Sequence, residues 1–250
     1  MAASVVLLHG FSGSPASFDP VVRELGDGIA VFRPTLLGHG AADDLTVDGF
    51  DAEVDRLAAS IQARGTDHHL LGYSLGGRLA LGLLVRRPEL FRSAILVSSS
   101  PGLERDDERP ARRAQDGRLV ELLERDGIAA FVDVWEALPL FATQRRLPSE
   151  RLAAQRAARL AHDPNGLARS LRLTGLAEMP SYWEVLPRLA LPVTLIAGAL
   201  DSKFRAILTA MSERLPRATL QIVPDAGHNV LLERPDVLVA ALLGNLGAAA

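Results

Sequence analysis

The pentapeptide Gly72-Tyr73-Ser74-Leu75-Gly76 places a serine between two glycines, directly after a β-rich run and directly before a helical one. Such a pattern predicts a nucleophile elbow, in which the serine sits on a tight, strained strand-to-helix turn and the small residues on either side let the two backbones pass closely. His68-His69-Leu70-Leu71 reads as the strand, and residues 77–87 carry Leu79, Leu83 and Leu84 at helical spacing before Pro88 stops the helix. A serine is a weak nucleophile or base until a histidine takes its proton, and that histidine needs an acid to hold its tautomer. His228, in Asp225-Ala226-Gly227-His228-Asn229, and Asp201, in Gly198-Ala199-Leu200-Asp201, each follow a predicted strand. Both therefore belong at the carboxyl ends of strands, where open α/β sheets bind ligands. Asp225 is a rival acid close to His228, but a loop neighbour seldom points back onto the ring. Backbone donors for a developing oxyanion are expected from Leu75 and, in the loop His9-Gly10-Phe11-Ser12-Gly13, from Phe11.

The elements that must position these residues follow from the pattern of the chain. Apolar, β-branched runs at 4–8, 29–33, 68–71, 93–97, 193–197 and 219–223 alternate with helical patterns, as in a parallel sheet built from βαβ units. From residue 101 to 189 the strands stop, and helices are expected at 117–125, 128–135, 149–161 and 165–176. The expected organisation is an α/β core of residues 1–100 and 190–250, with helices on both faces of a mostly parallel sheet and a helical cap at 101–189 inserted after the fourth strand. The Ala-rich tail at 248–250 is expected to fray.

Composition bounds the partners. The 250 residues are 48% hydrophobic and 23% charged with a formal net charge of -3, which fits a globular domain with no general attraction for nucleic acid or an anionic membrane. Without cysteine there are no disulfides or thiolate metal sites, and no metal or cofactor is expected. His9 and His39 belong to Gly-rich turns, and His68, His69 and His162 lack ligand-like pairing, so each is read as structural or solvated. The apolar start, Val5 to Leu8, is too short for a signal core or a membrane span, so a cytoplasmic protein is expected. A monomer is the default expectation; the one or two leading strands common in this architecture are not expected here, and an open sheet edge there would let a dimer pair.

The order Ser74, Asp201, His228, the elbow and the sheet pattern resemble the α/β-hydrolase superfamily over essentially the whole chain. More specific strings, Leu8-His9-Gly10-Phe11-Ser12-Gly13, Val47-Asp48-Gly49-Phe50, Gly72-Tyr73-Ser74-Leu75-Gly76-Gly77-Arg78, Pro101-Gly102-Leu103, Asp201-Ser202-Lys203-Phe204 and Ala226-Gly227-His228-Asn229, resemble the 2-succinyl-6-hydroxy-2,4-cyclohexadiene-1-carboxylate (SHCHC) synthase family of menaquinone biosynthesis. The resemblance implies a carbon–oxygen lyase that eliminates pyruvate, with the serine triad acting as a base. A polycarboxylate substrate needs fixed guanidinium groups. Arg78, one turn into the elbow helix, is placed to face the pocket, and Arg112 and Arg159 match the family's cap arginines, while Lys203 lies two residues past the proposed acid. Asp116 could orient Arg112 as an i,i+4 partner or simply pair with it at the surface.

Tyr73 and Trp135 fit the family's wall for the ring, with core packing the alternative for Trp135. Phe141 is expected to pack the cap hinge. Glu136 stands where an aromatic or neutral polar residue is expected, and an inward carboxylate would repel an anionic substrate, so Glu136 should face solvent. The alternative functions are a carboxylesterase or carbon–carbon bond hydrolase using the same triad as nucleophile, and a noncatalytic binding module on the same fold.

Overall fold

The computed structural model describes residues 4–40 and 47–247; the tail at 248–250 lies outside them. Six strands, β1 (Ser4–Leu8), β2 (Ala30–Phe32), β3 (His68–Tyr73), β4 (Phe91–Val97), β5 (Val193–Gly198) and β6 (Ala218–Val223), form one sheet in the order β2-β1-β3-β4-β5-β6. Every pair is parallel. Parallel strands are covered on both faces and so read as continuous apolar runs, which is why they stand out in the sequence.

Alternation along each strand divides the core into two. Val6, Leu8, Leu70, Ala94 and Leu96 face one side, where they pack with α2 (Phe50–Gln62), α3 (Leu75–Arg86) and α7 (Ser202–Arg214). Val5, Leu7, Leu71, Ile95 and Val97 face the other, under α1 (Asp19–Leu25), the short α8 (Val230–Glu233) and α9 (Pro235–Gly247). From β1 the chain turns outward to β2 and then returns to β3, so the loops leaving β1 and β3 diverge. A crevice opens at such a switch point.

Between β4 and β5 there is no strand. This stretch holds α4 (Arg109–Glu136), α5 (Ser149–Leu160) and α6 (Pro164–Thr174), with a 3-10 segment, Pro139–Arg146, between α4 and α5. A third apolar cluster, including Val120, Leu123, Phe131, Leu167 and Leu171, holds α4 to α6, and Phe11 from the loop after β1 packs against it. The two helices expected at 117–125 and 128–135 are the halves of α4, broken at Gly127, whose φ of 80° and ψ of -176° are open only to glycine. The helix starts eight residues earlier than expected because its first two turns are rich in arginine and show no apolar stripe. No helix among the described residues is long and apolar enough to cross a membrane.

Candidate active site

Ser74 sits between β3 and α3 with φ 51° and ψ -109°, a region that a non-glycine residue occupies only when its surroundings enforce it. The surroundings do so. Ser74 N–H donates to the Val97 carbonyl at 2.9 Å, and both flanking glycines are required: a Cβ on Gly72 would lie 2.4 Å from the Gly76 oxygen, and one on Gly76 would lie 2.1 Å from the Leu8 oxygen. β1, β3 and α3 thus meet at distances that no side chain permits.

The turn after β5 brings Asp201 to the head of α7, and the turn after β6 brings His228 over it. Gly198 permits this approach, since a Cβ there would lie 2.2 Å from the Gly227 oxygen. Asp201 Oδ1 accepts the Phe204 N–H at 3.2 Å, which caps α7, and Oδ2 lies 2.8 Å from His228 Nδ1. His228 Nε2 is 3.2 Å from Ser74 Oγ. With Nδ1–H donating to the carboxylate, Nε2 presents its lone pair to the serine hydroxyl. Both partners are buried, and the Phe204 ring packs 4.5 Å from the imidazole. The rival acid Asp225 is exposed, in a turn with positive φ.

Ser74 opens into a cavity of about 690 Å³ at the carboxyl end of the sheet, walled on the far side by α4 and α6. Phe11, Tyr73 and Leu75 line it at the serine, and Trp135 lies across from them. The Phe11 N–H has no acceptor among the described residues, and the Leu75 N–H, at the first position of α3, has none within its helix. Trp135 satisfies both readings made of it, since it lines the cavity and also stacks on Phe131 at 5.5 Å and meets Phe11 at 5.3 Å. Its Nε1 is buried without a partner among the described residues.

Arg78, Arg112 and Lys203 line the same cavity. Among the described residues Arg78 makes one side-chain hydrogen bond, Nη1 to the Thr174 carbonyl at 2.8 Å. Burial, and next the nearby Arg112 charge, push its proton affinity down, and Asp116 opposes them. A guanidinium stays cationic under such pressure, so the site holds a desolvated positive charge. Arg112 Nε lies 3.0 Å from both oxygens of the buried Asp116, which fixes the fork as the i,i+4 spacing suggested. Burial raises the Tyr73 phenol far above its usual value, with Arg159 opposing and Glu233 and Asp201 adding, so the ring stays neutral.

Two expectations are corrected. Arg159 does not line the serine cavity; it is buried in the wall of an adjoining chamber, with its guanidinium 5.3 Å from the Phe141 ring. Glu136 does not simply face solvent: it accepts Arg159 Nη1 at 3.0 Å and Arg156 Nη1 at 2.8 Å, bound between α4 and α5. The two carboxylate oxygens are thereby engaged away from the serine cavity, which removes the repulsion that an inward Glu136 would cause.

Phe141 contacts the His228 ring at 6.2 Å and Trp135 at 5.5 Å, so it belongs to the site rather than to a hinge alone. His162, read as structural or solvated, meets the His39 ring edge-to-face at 5.5 Å. Sequence reasoning also missed Glu233, which accepts the Gly227 N–H at 2.8 Å and the Thr143 hydroxyl at 3.0 Å, tying the His228 turn to the 3-10 segment. No local pattern announces it, whereas Phe204, three residues after Asp201, could have been found from the spacing of a helix's first turn. Among the described residues no three histidines or carboxylates are grouped to hold a metal ion.

The alpha/beta hydrolase family profile matches residues 5–241. A 2-succinyl-6-hydroxy-2,4-cyclohexadiene-1-carboxylate synthase of Salmonella schwarzengrund is 34% identical over 243 residues, covering 96% of this chain and 92% of its own. A Bacillus subtilis protein that carries the same synthase name provisionally is 37% identical over 237 residues, 93% of this chain and 86% of its own. Among solved structures, MenH from S. aureus superposes with a TM-score of 0.95 at 30% identity over 99% of this chain and 94% of that one. A thermophilic esterase from Thermogutta terrifontis, with malate bound, gives 0.84 at 25% identity over 98% and 90%. The chain belongs to the alpha/beta hydrolase family and, within it, to the family of the SHCHC synthases.

Proposed function

We propose that the protein eliminates pyruvate from 2-succinyl-5-enolpyruvyl-6-hydroxy-3-cyclohexene-1-carboxylate, giving SHCHC in menaquinone biosynthesis. The observation that carries this reading is the pairing of a hydrogen-bonded Ser74–His228–Asp201 set with two fixed guanidinium groups, Arg78 and Arg112, in one cavity. An ester with an apolar acid gives no use for fixed cations beside the serine. A substrate with several carboxylates does.

The chemistry follows from the positions on the ring. The proton to be removed lies on C2, beside the succinyl ketone. His228 Nε2 takes the hydroxyl proton of Ser74, Asp201 stabilises the imidazolium, and the Ser74 oxygen removes the C2 proton. The electron pair spreads onto the ketone oxygen, where the Phe11 and Leu75 N–H groups meet the developing charge. As C2=C3 and C4=C5 form, the C5–O bond breaks, and the departing enolpyruvate takes the imidazolium proton and becomes pyruvate. Ser74 has its proton back from C2, no water is consumed, and no acyl-enzyme forms. Tyr73 and Trp135 hold the ring, and Lys203 adds charge from the first turn of α7. The protein acts as a monomer on a small anionic substrate, with no nucleic-acid or membrane partner, in the cytoplasm.

The test is pyruvate release from enzymatically prepared substrate, with spontaneous breakdown subtracted and Ser74→Ala as the control. Fast release that Ser74→Ala abolishes is expected. No release above background from folded protein would return the chain to the hydrolases, and a rapid acyl burst on a chromogenic ester would then identify it as an esterase.

A further inference from the structure

A second chamber of about 360 Å³ lies behind the serine cavity. Phe11, Tyr73 and Phe141 line both and so stand between them. Two arginines, Arg151 and Arg159, line the chamber, and among its described lining residues there is no carboxylate. The serine cavity, by contrast, has Asp116 and Glu121 in its wall. Arg159 is buried, and Arg151 donates only to the Leu232 carbonyl and has no ion pair among the described residues. The rest of the wall is mostly small or apolar, with hydroxyls from Ser12, Ser14 and Ser17 and the amides of Gln155 and Asn229. Arg151, Ala154 and Ala158 are exposed along α5, so the chamber reaches solvent by its own route.

Resting on the reaction proposed above, we infer that this chamber is a separate site and exit for the leaving group, a small 2-oxo monocarboxylate, which here is pyruvate. A three-carbon acid suits a space at the lower end of small-molecule sites, and Phe11, Tyr73 and Phe141, which border the serine cavity, form part of its wall, so the chamber adjoins the ring from which the leaving group departs. Phe141 and Tyr73 give an apolar surface to the methyl group, and the guanidinium groups take the carboxylate. Glu136 holds one Arg159 donor already, which tempers the attraction, as a site that must release its ligand requires. Separate exits also let pyruvate depart while the ring product is still held by Arg78 and Arg112.

The test uses pyruvate itself, observed through its methyl signal by saturation-transfer NMR on the full chain. Ala158→Trp fills the chamber from an exposed helix position, and Arg151→Glu reverses the charge at its mouth. Phosphonylation of Ser74 by a small fluorophosphonate reports whether each variant keeps a folded serine cavity. The expected result is saturable pyruvate binding that survives phosphonylation of Ser74 and weakens at least tenfold in Ala158→Trp and fivefold in Arg151→Glu. Binding that both variants retain, or that phosphonylation alone abolishes, would place pyruvate in the serine cavity and overturn the proposal. Fast elimination with no detectable pyruvate binding would also overturn it while leaving the reaction intact. Chamber-dependent binding without elimination would uphold the site and refute the reaction.

Discussion

Asp201 uses its two carboxylate oxygens separately, one to cap α7 and one to hold His228. That division makes Asp201→Asn informative. Asparagine caps a helix about as well as aspartate, so thermal stability should change little. An amide nitrogen facing Nδ1 cannot accept its proton, and the imidazole then presents the wrong tautomer to Ser74, so kcat should fall by on the order of 10⁴-fold. Retention of activity within tenfold of wild type would refute the assigned role. Arg78 tests the opposite balance, because its buried charge costs stability for the sake of a ligand. Arg78→Met should leave the melting temperature level or raise it. The same change should raise KM by roughly ten- to a hundredfold, the worth of about 1.5–3 kcal/mol for a hydrogen bond to a charged group. A large loss of stability with KM unchanged would make Arg78 a structural residue.

At the scale of elements, α4 carries two glycines with opposite roles. A Cβ on Gly117 or Gly127 would meet nothing within 4 Å, so any difference between them is one of backbone alone. Gly117→Ala, in regular helix, should stabilise by about 0.5–1 kcal/mol. Gly127→Ala forces a side chain into a conformation open only to glycine and should destabilise by about 1–3 kcal/mol. Urea titrations of the two variants check this, and equal effects would mean that the break in α4 relaxes freely. The break shows what the sequence reveals. Strands β1, β3, β4 and β5 were legible because burial on both faces leaves largely apolar runs, and Ser74 and Asp201 were legible because each follows such a run, whereas His228 follows the half-exposed edge strand β6, legible from its β-branched residues and the glycine turn after it. The start of α4 was hidden, since an exposed, arginine-rich turn has no periodicity to read. The pairing of Glu136 with Arg159 was hidden for a different reason: the residues lie on two helices, and only packing decides that they meet. The same holds for the partition of the pocket, which assigns Arg159 to a different space from Arg78 and Arg112.

Across the whole molecule, three histidines from separate parts of the chain form a row that joins the sheet to the inserted helices. His9, at the end of β1, His39, after β2, and His162, between α5 and α6, have successive ring centroids 5.0 and 5.5 Å apart. His39 Nε2 accepts the Ser12 N–H at 3.0 Å, and the Phe11 ring packs against the same imidazole, so the row also braces the oxyanion loop. Burial lowers His9 to about 4, against the hydrogen bond to the Gly10 carbonyl and with help from His162. Burial, then His9, holds His39 well below its usual value against the Leu37 carbonyl, and burial lowers His162 against the backbone of Ser12 and Gly13. In the unfolded chain each titrates near 6.5. Between that value and the depressed ones the unfolded state binds more protons, so stability rises with pH there. The contribution is complete above about pH 6.5 and is lost as pH falls, for His9 down to about 4. Each histidine adds up to about 1.4 kcal/mol per pH unit within its window. Urea midpoints should therefore drop steeply from pH 6.5 to 5, and His162→Phe, which keeps an aromatic ring against His39 while removing one titrating group, should flatten that slope. An identical slope in the variant would show that His162 binds protons alike in the folded and unfolded chain, leaving the acid sensitivity to His9 and His39.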